Sequence, residues 1–513
     1  MIAYAFTVFW LLGLLEFCAQ VLIQGASEKT WGVSVLIFFF AFMGTIFSQK
    51  AKIVEALGRL FREWKVSPGL FKILTGLTAI LFLVAFWESL YPPHLNQELD
   101  ALNYHMTLPR QHLFRGNFDW ISWSVADLWP MPLQFGLAPA WFMGNTLNKW
   151  PQFFAVLNAF FLLLALGRAG DESKSWRGWI PALAVFTTHG VMIQLGTAML
   201  DLTILYFTIA ALHSLIRRRV FWTSIHLAVL FTSKAFNPIQ MSIIIVFTLV
   251  AIFVLHRKTG AKVPAEYSSK ESIKFLKKSL VWTGLLSLVI LSRSIYLGLK
   301  YVGTPMYPFL VSASASPGIL AGAASHLRTR TDYGYGHGFV AFLKHFWLVS
   351  VPTHQVNNVY DYPLGLAWLF MLILLFSACL RWWKSGGKTI SVPGVLAMAF
   401  WITWWMGSHQ SRWLYPVIAL GWLSTLGEQR RMQTFILTGS LCVSAFFSVF
   451  SEVRGFQEDI HKTPLEVQHE QEAAVLSHKI GPDVLDSRNA LFYKGRVQDI
   501  VGEDVRWIVP HGL

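Results

Sequence analysis

Apolar runs close to twenty residues long recur along most of this chain, and that recurrence constrains the fold more than any other feature. A helix pairs its backbone groups internally and rises about 1.5 Å per residue, so about 20 apolar residues carry it across hydrocarbon. Such runs lie roughly at 1–24, 32–48, 70–90, 150–168, 178–196, 198–216, 221–234, 237–256, 279–299, 363–380, 393–408, 412–427 and 432–450, about thirteen in all. Of 513 residues, 54% are hydrophobic and only 14% charged, which fits no ordinary soluble domain. The expected fold is an all-α polytopic membrane protein with amphipathic helices in its outer segments. The opening MIAYAFTVFW lacks a basic n-region and a small-residue cleavage site, so it predicts a retained first span rather than a cleaved leader.

A net charge of +14 invites nucleic acid as a partner, but the placement of the cations points to a membrane instead. Lys50, Lys52, Arg59, Arg62 and Lys65; Arg168, Lys174 and Arg177; Arg217, Arg218 and Arg219; the stretch 257–278; Arg381, Lys384 and Lys388; and Arg430 with Arg431 all sit in loops between apolar runs. Alternating spans put every one of these loops on the same side, the positive-inside pattern. The N-terminus is then cytoplasmic, and the odd number of spans leaves everything from Ser451 outside. Two domains follow, a membrane domain over 1–450 and a small extracytoplasmic tail over 451–513. In the tail, charged helix-like text around 466–479 gives way to the strand-like pieces ALFYKG and VRWIVP. Cys18, Cys379 and Cys442 lie in apolar runs, too scattered for a metal site or a disulfide framework.

Polar chemistry gathers on the expected outer face: segments 91–149 and 300–362, the tail, and turns carrying Asp201, Lys234, His409 and Arg412. The first segment contains QELDALNYHMTLPRQH, with Glu98, Asp100, His105, Arg110 and His112 beside hydrocarbon, where charge is costly to keep. On a helix, Asp100 and Tyr104 share a face and Glu98 does not. In extended chain Glu98 and Asp100 emerge together and can grip a metal ion or a donor. Pro109 interrupts the helix pattern or starts a new helix. The plain alternative is an amphipathic interfacial helix with solvated charges.

The run ELDALNYHMTLPRQHLFRGNF resembles the first outer loop of bacterial GT-C glycosyltransferases, polytopic enzymes that take sugar from a polyprenyl-phosphate carrier. Asp201 in AMLDLTILYF, Lys234 in FTSKAFNP, the GTPMYPF run from Gly303 to Phe309, and QSRWLYP from Gln410 to Pro416 also look like features of that branch. Glu98 with Asp100 is similar to the separated form of the superfamily's acidic pair, while Thr304 stands where Asn is expected. The resemblance spans about residues 90 to 427. It implies a cytoplasmic (inner) membrane enzyme of bacteria with a polyprenyl-phosphate-linked sugar as donor, a lipid or glycan as acceptor, the bilayer as surroundings and no nucleic acid.

Sugar transfer to a hydroxyl is helped by a carboxylate that takes the acceptor's proton and by cations that stabilise the leaving phosphate. Asp100 is the first choice for base, with Glu98 and His105 as its catalytic companions; by analogy with glycosidases a single displacement inverts the anomeric centre. Lys234, Arg293 and Arg412 are the phosphate candidates, and Tyr104 and Asp201 adjoin the substrate. Arg293, in the outer half of an apolar run, either holds phosphate oxygens or forms an internal pair with Asp201. In SHLRTRTDYGYGHGF, Tyr333, Tyr335 and His337 alternate with glycines, the composition of a substrate-covering lid or of an ordinary loop. Glu16, His189, His213 and His226 read as residues hydrogen-bonded within the bundle. No Gly-rich nucleotide fingerprint follows a strand, which disfavours soluble-nucleotide donors. No cofactor is demanded; a divalent metal at the acidic pair is left open. A lipid-linked glycan transporter or flippase competes, as does a polysaccharide polymerase or ligase, but a transporter is expected to show paired broken spans or internal symmetry and to run polar residues across the membrane rather than along one face.

Overall fold

The structure is a computed structural model of the chain, and it describes residues 2–23, 32–91, 101–121, 125–141, 149–170, 175–233, 269–305, 307, 334–350, 360, 363–384, 392–406, 409–425 and 431–455. All regular elements among these residues are helical. In chain order they are α1 (Ala5–Leu22), α2 (Val33–Ser48), α3 (Lys50–Lys65), α4 (Gly69–Glu88), α5 (Thr107–Arg115), α6 (Pro132–Trp141), α7 (Trp150–Gly170), α8 (Ile180–Phe186), α9 (His189–Ile193), α10 (Asp201–Ile216), α11 (Val220–Thr232), α12 (Ser269–Val302), α13 (Phe339–Leu348), α14 (Leu366–Lys384), α15 (Val392–Met406), α16 (Tyr415–Ser424) and α17 (Arg431–Gly455).

Among the described residues, 4 helices, α1, α4, α7 and α12, can cross a membrane by length and composition, or up to 5 if α2 and α3, bent by 73° where they meet, count as one span. The run expected at 237–256 and the tail from 456 onward lie outside the described residues. So do the acidic pair Glu98 and Asp100, Lys234 and Tyr333.

The run expected at 178–196 is not one helix. It breaks into a 3-10 turn at Trp176–Trp179, then α8 and α9, with Thr188 in extended backbone between the last two. Thr187 and Thr188 turn their hydroxyls back onto the Leu183 and Ala184 carbonyls, at 2.8 and 2.9 Å, which competes with the helix ladder. The freed carbonyls are satisfied from neighbouring helices: Ser444 donates to Thr187 O and Tyr415 to Gly190 O. Broken helix is tolerated in apolar surroundings when protein supplies such partners. The run at 412–427 likewise starts as a 3-10 turn, Ser411–Leu414, before Pro416 opens α16 in its first turn.

Part of the segment 91–149 packs into the bundle. Its α6, PLQFGLAPAW, is buried at every position and packs on α1. Gly13 and Gly136 let the two backbones meet, since a Cβ on Gly13 would overlap the Gly136 carbonyl and one on Gly136 would overlap the Trp10 indole. Trp10 Nε1 donates to Pro132 O at 3.0 Å, and Phe17 stacks on Phe135 at 4.6 Å.

Polar groups inside the bundle find partners. Glu16 caps α2 by accepting the Gly32, Val33 and Ser34 N–H groups at 2.8–3.1 Å, placing negative charge at that helix's positive end. His213 meets Tyr4 at 2.9 Å, and His226 lies between Thr7 and Ser214. One end of the bundle carries Glu63 with Arg168, and Arg217 to Arg219 near Tyr4; α4, α7 and α10 run from there to an opposite end carrying Glu88, Lys149 and Asp201.

Replacing Gly136 by Ala is expected to destabilise the protein by about 1–3 kcal/mol through overpacking on Trp10. Gly44→Ala, with open space around it, serves as control and should be neutral or slightly stabilising. Thermal unfolding of the two variants in detergent measures the difference; equal midpoints would mean α1 and α6 do not meet at these glycines.

Candidate active site

The acidic pair leads directly into described structure. Residues Ala101–His105 form a π turn closed by Met106 N–H on Ala101 O at 2.9 Å, not the α-helix that the Asp100–Tyr104 spacing suggested. Pro109 then lies in the first turn of α5, where its missing N–H has no intrahelical role. His105 is 2% exposed, and Gln134 of α6 meets its Nδ1 at 3.1 Å. Tyr104 is half-buried against His105 and Trp129.

A buried charge cluster pins the stretch from α5 to Asp127. Asp127, fully buried, takes His112 Nε2 at 2.8 Å on Oδ1 and the Ile121 N–H at 2.8 Å on Oδ2. Arg293 of α12 reaches across with Nη2 at 2.9 Å from both carboxylate oxygens. Its Nε donates to Phe118 O at 3.0 Å and its Nη1 to Asp127 O at 2.8 Å. Burial pushes the Asp127 carboxyl upward, but the His112 hydrogen bond, the Arg293 charge and the Ile121 N–H together hold it below its ordinary value. The guanidinium is thus engaged by the loop on all its arms. Arg293 also faces a groove of about 620 Å³ between α1, α6, α12 and residues 117–119.

Of the two readings of Arg293, the internal pair with Asp201 does not form. Asp201, 3% exposed at the start of α10, faces Arg412 instead, with Nε 3.8 Å from Oδ2. Similar depth on two helices does not place their side chains toward each other, and the loop that carries Asp127 supplies Arg293 with its carboxylate. At the same end of the bundle lies a second buried pair, Lys149 and Glu88, at 3.9 Å. The close fit of Gly196 against Glu88 brings the 194–200 turn onto this pair. Gln152 binds the same turn by donating to Ala198 O at 3.2 Å while accepting from Trp141 Nε1 at 3.1 Å. Hydrogen bonds therefore connect α6, which touches His105, to the turn that opens at Asp201.

The glycine-rich loop is organised by aromatic and imidazole rings. His337 Nδ1 and His409 Nε2 both donate to Trp405 O, at 2.8 and 3.0 Å, and His409 stacks on Trp405 at 4.6 Å. Gly334 and Gly336 sit at φ +84°, a region that glycine tolerates, and Gly334 presses on His409. Burial, chiefly, lowers the pKa of His409. Tyr335 is exposed and lies 6.1 Å from Tyr360.

The structure thus joins Asp201 to Arg412, and His337 to His409. It separates Arg293 into the Asp127 cluster. Asp127, Glu88 and Lys149 were missed in the sequence. Glu88 and Lys149 had a usable signal, as lone charges at the ends of apolar runs; Asp127 had none. Among the described residues no group of three His, Cys, Asp or Glu side chains is set to hold a metal ion. In comparisons with known proteins, the chain matches no family model, no curated protein and no solved structure.

Because the native Asp127 carboxyl is depressed, its contribution to stability is present above the ordinary carboxylate pKa and is lost as pH falls through the native value. The stability difference between the parent and Asp127→Asn should be largest near neutrality and shrink on acidification. Thermal midpoints from neutral pH down to about pH 3 test this. A difference that does not change over that range would mean the ionised carboxylate is not the stabilising form.

Proposed function

We propose that this chain is a GT-C-like glycosyltransferase of a bacterial cytoplasmic membrane. It transfers sugar, with inversion, from a polyprenyl-phosphate carrier to a lipid or glycan acceptor on the outer face. The observation that carries the reading is the placement of buried charge. Asp201 with Arg412, and Glu88 with Lys149, collect at one end of an apolar helical bundle, the end opposite its basic loops. A transporter has more use for polar groups spread along the transport path.

In this reading about thirteen spans cross the bilayer, the N-terminus is cytoplasmic and the tail is outside. Asp100 takes the acceptor's proton, Glu98 adjoins it, and His105, held by Gln134, orients the segment. Lys234 and Arg412 stabilise the leaving phosphate. Arg293, engaged by Asp127 and two carbonyls, holds the loop in place rather than the phosphate. Tyr104, Tyr333, Tyr335 and His337 contact the sugars.

Mass spectrometry of envelope glycans and polyprenyl-phosphate sugars in a deletion strain tests the reading. A missing sugar, with the matching lipid-linked sugar accumulating, is expected. Asp100→Asn, present in the membrane at parental level, should restore transfer at least about a hundredfold more slowly than the parent, and Glu98→Gln should be impaired less. Parental activity in Asp100→Asn would remove Asp100 as the base. Unchanged composition with an altered leaflet distribution of the lipid-linked sugar would show a flippase instead.

A further inference from the structure

The segment KAKIVEALGRLFREWK, α3, has three distinct faces. Leu60 and Trp64 pack on the core, and Glu63 is bound by Arg168 and by Trp179 Nε1 at 2.8 Å. Val54, Leu57 and Phe61, at helical spacing, are 60%, 56% and 62% exposed with no described protein over them. On the remaining face Lys52, Glu55, Arg59 and Arg62 form an exposed stripe, with Lys50 and Lys65 exposed at the two ends. Of the two acids, Glu55 pairs with Arg59 at 3.9 Å and Glu63 is turned inward, so the outward charge is positive.

The direction of α3 completes the picture. The preceding helix, α2, is apolar and exposes Leu36, Ile37, Phe39, Phe40 and Phe47, as a lipid-facing helix does. A bend of 73° at Gln49 turns α3 away from that axis. If α2 crosses the bilayer, α3 lies close to its plane, with apolar side chains toward hydrocarbon and cations at headgroup depth.

We propose that α3 is an in-plane anchor whose basic stripe binds anionic phospholipid headgroups on the face of the membrane where α2 ends. Charge selects this occupant. A second copy of the chain would bring like charges together, whereas anionic lipids complement the stripe and are at hand wherever α2 crosses a bilayer. Trp64 ties the anchor to the bundle by donating to Thr75 of α4 at 2.9 Å, and Glu63 ties it to α7 through Arg168. The proposal is independent of the reaction assigned to the opposite end.

The test uses the full chain in lipid nanodiscs, with Cys18, Cys379 and Cys442 replaced by Ser. Bimane on Leu57→Cys should be quenched by doxyl-labelled lipid and shielded from iodide, and bimane on Arg59→Cys should show the reverse. Spin-labelled phosphatidylglycerol should associate more strongly than spin-labelled phosphatidylcholine. Lys52→Gln/Arg59→Gln/Arg62→Gln should reduce that preference by about fivefold or more, with the thermal midpoint in phosphatidylcholine unchanged. The charge-conserving Lys52→Arg/Arg59→Lys/Arg62→Lys should keep it. Equal iodide quenching at positions 57 and 59, or an unaltered headgroup preference in the Gln variant, would overturn the proposal.

Discussion

The contact between Arg293 and Asp127 is the constraint on which the rest of the candidate site depends. A guanidinium part-way along a 34-residue helix, α12, is expensive in apolar surroundings unless it is fully paired. Asp127 supplies the charge, and the Phe118 and Asp127 carbonyls take the remaining arms. In satisfying Arg293 the chain must bring Phe118 and Asp127 onto α12, and His112 joins α5 to the same carboxylate. The helix C-terminal to the acidic pair is thereby fixed, and α6 is delivered to the glycine contact on α1. A cost imposed by one buried cation thus organises the loop.

A second tier of pairs then fixes the end of the bundle opposite its basic loops. Glu88 with Lys149 links α4 to α7, and Asp201 with Arg412 links α10 to the turn before α16. Each pair joins elements far apart in sequence, and removing one member strands the other in a buried position. The broken α8–α9 segment lies among them, its carbonyls held by Tyr415 and Ser444. Such irregular backbone at the end of an apolar bundle provides directed polar groups that continuous helices cannot offer.

Much of this was legible in the sequence where hydropathy and length decide. The helices at α1, α4, α7 and α12 follow from apolar runs long enough to span, and Glu16, His213 and His226 proved to be satisfied within the bundle as residue type suggested. The failures have physical reasons. PLQFGLAPAW, at 10 residues, is too short to read as a span, and its burial comes from packing on α1 and neighbouring helices that the sequence does not display. The break at Thr187 and Thr188 depends on hydroxyls and on acceptor-satisfying partners from distant helices. Arg293 takes neither Asp201 nor an open position but Asp127, because depth along a helix is readable from sequence and rotation about it is not. Asp127, 166 residues from Arg293, carries no spacing that announces the contact.

A double-mutant cycle at this contact is the most direct measurement. Arg293→Gln should strand the buried Asp127 carboxylate and cost about 3–5 kcal/mol, and adding Asp127→Asn should recover most of that loss, read as thermal midpoints in detergent. Additive losses in the double variant, or a parental midpoint in Arg293→Gln, would contradict the claim that this ion pair holds the segment on α12.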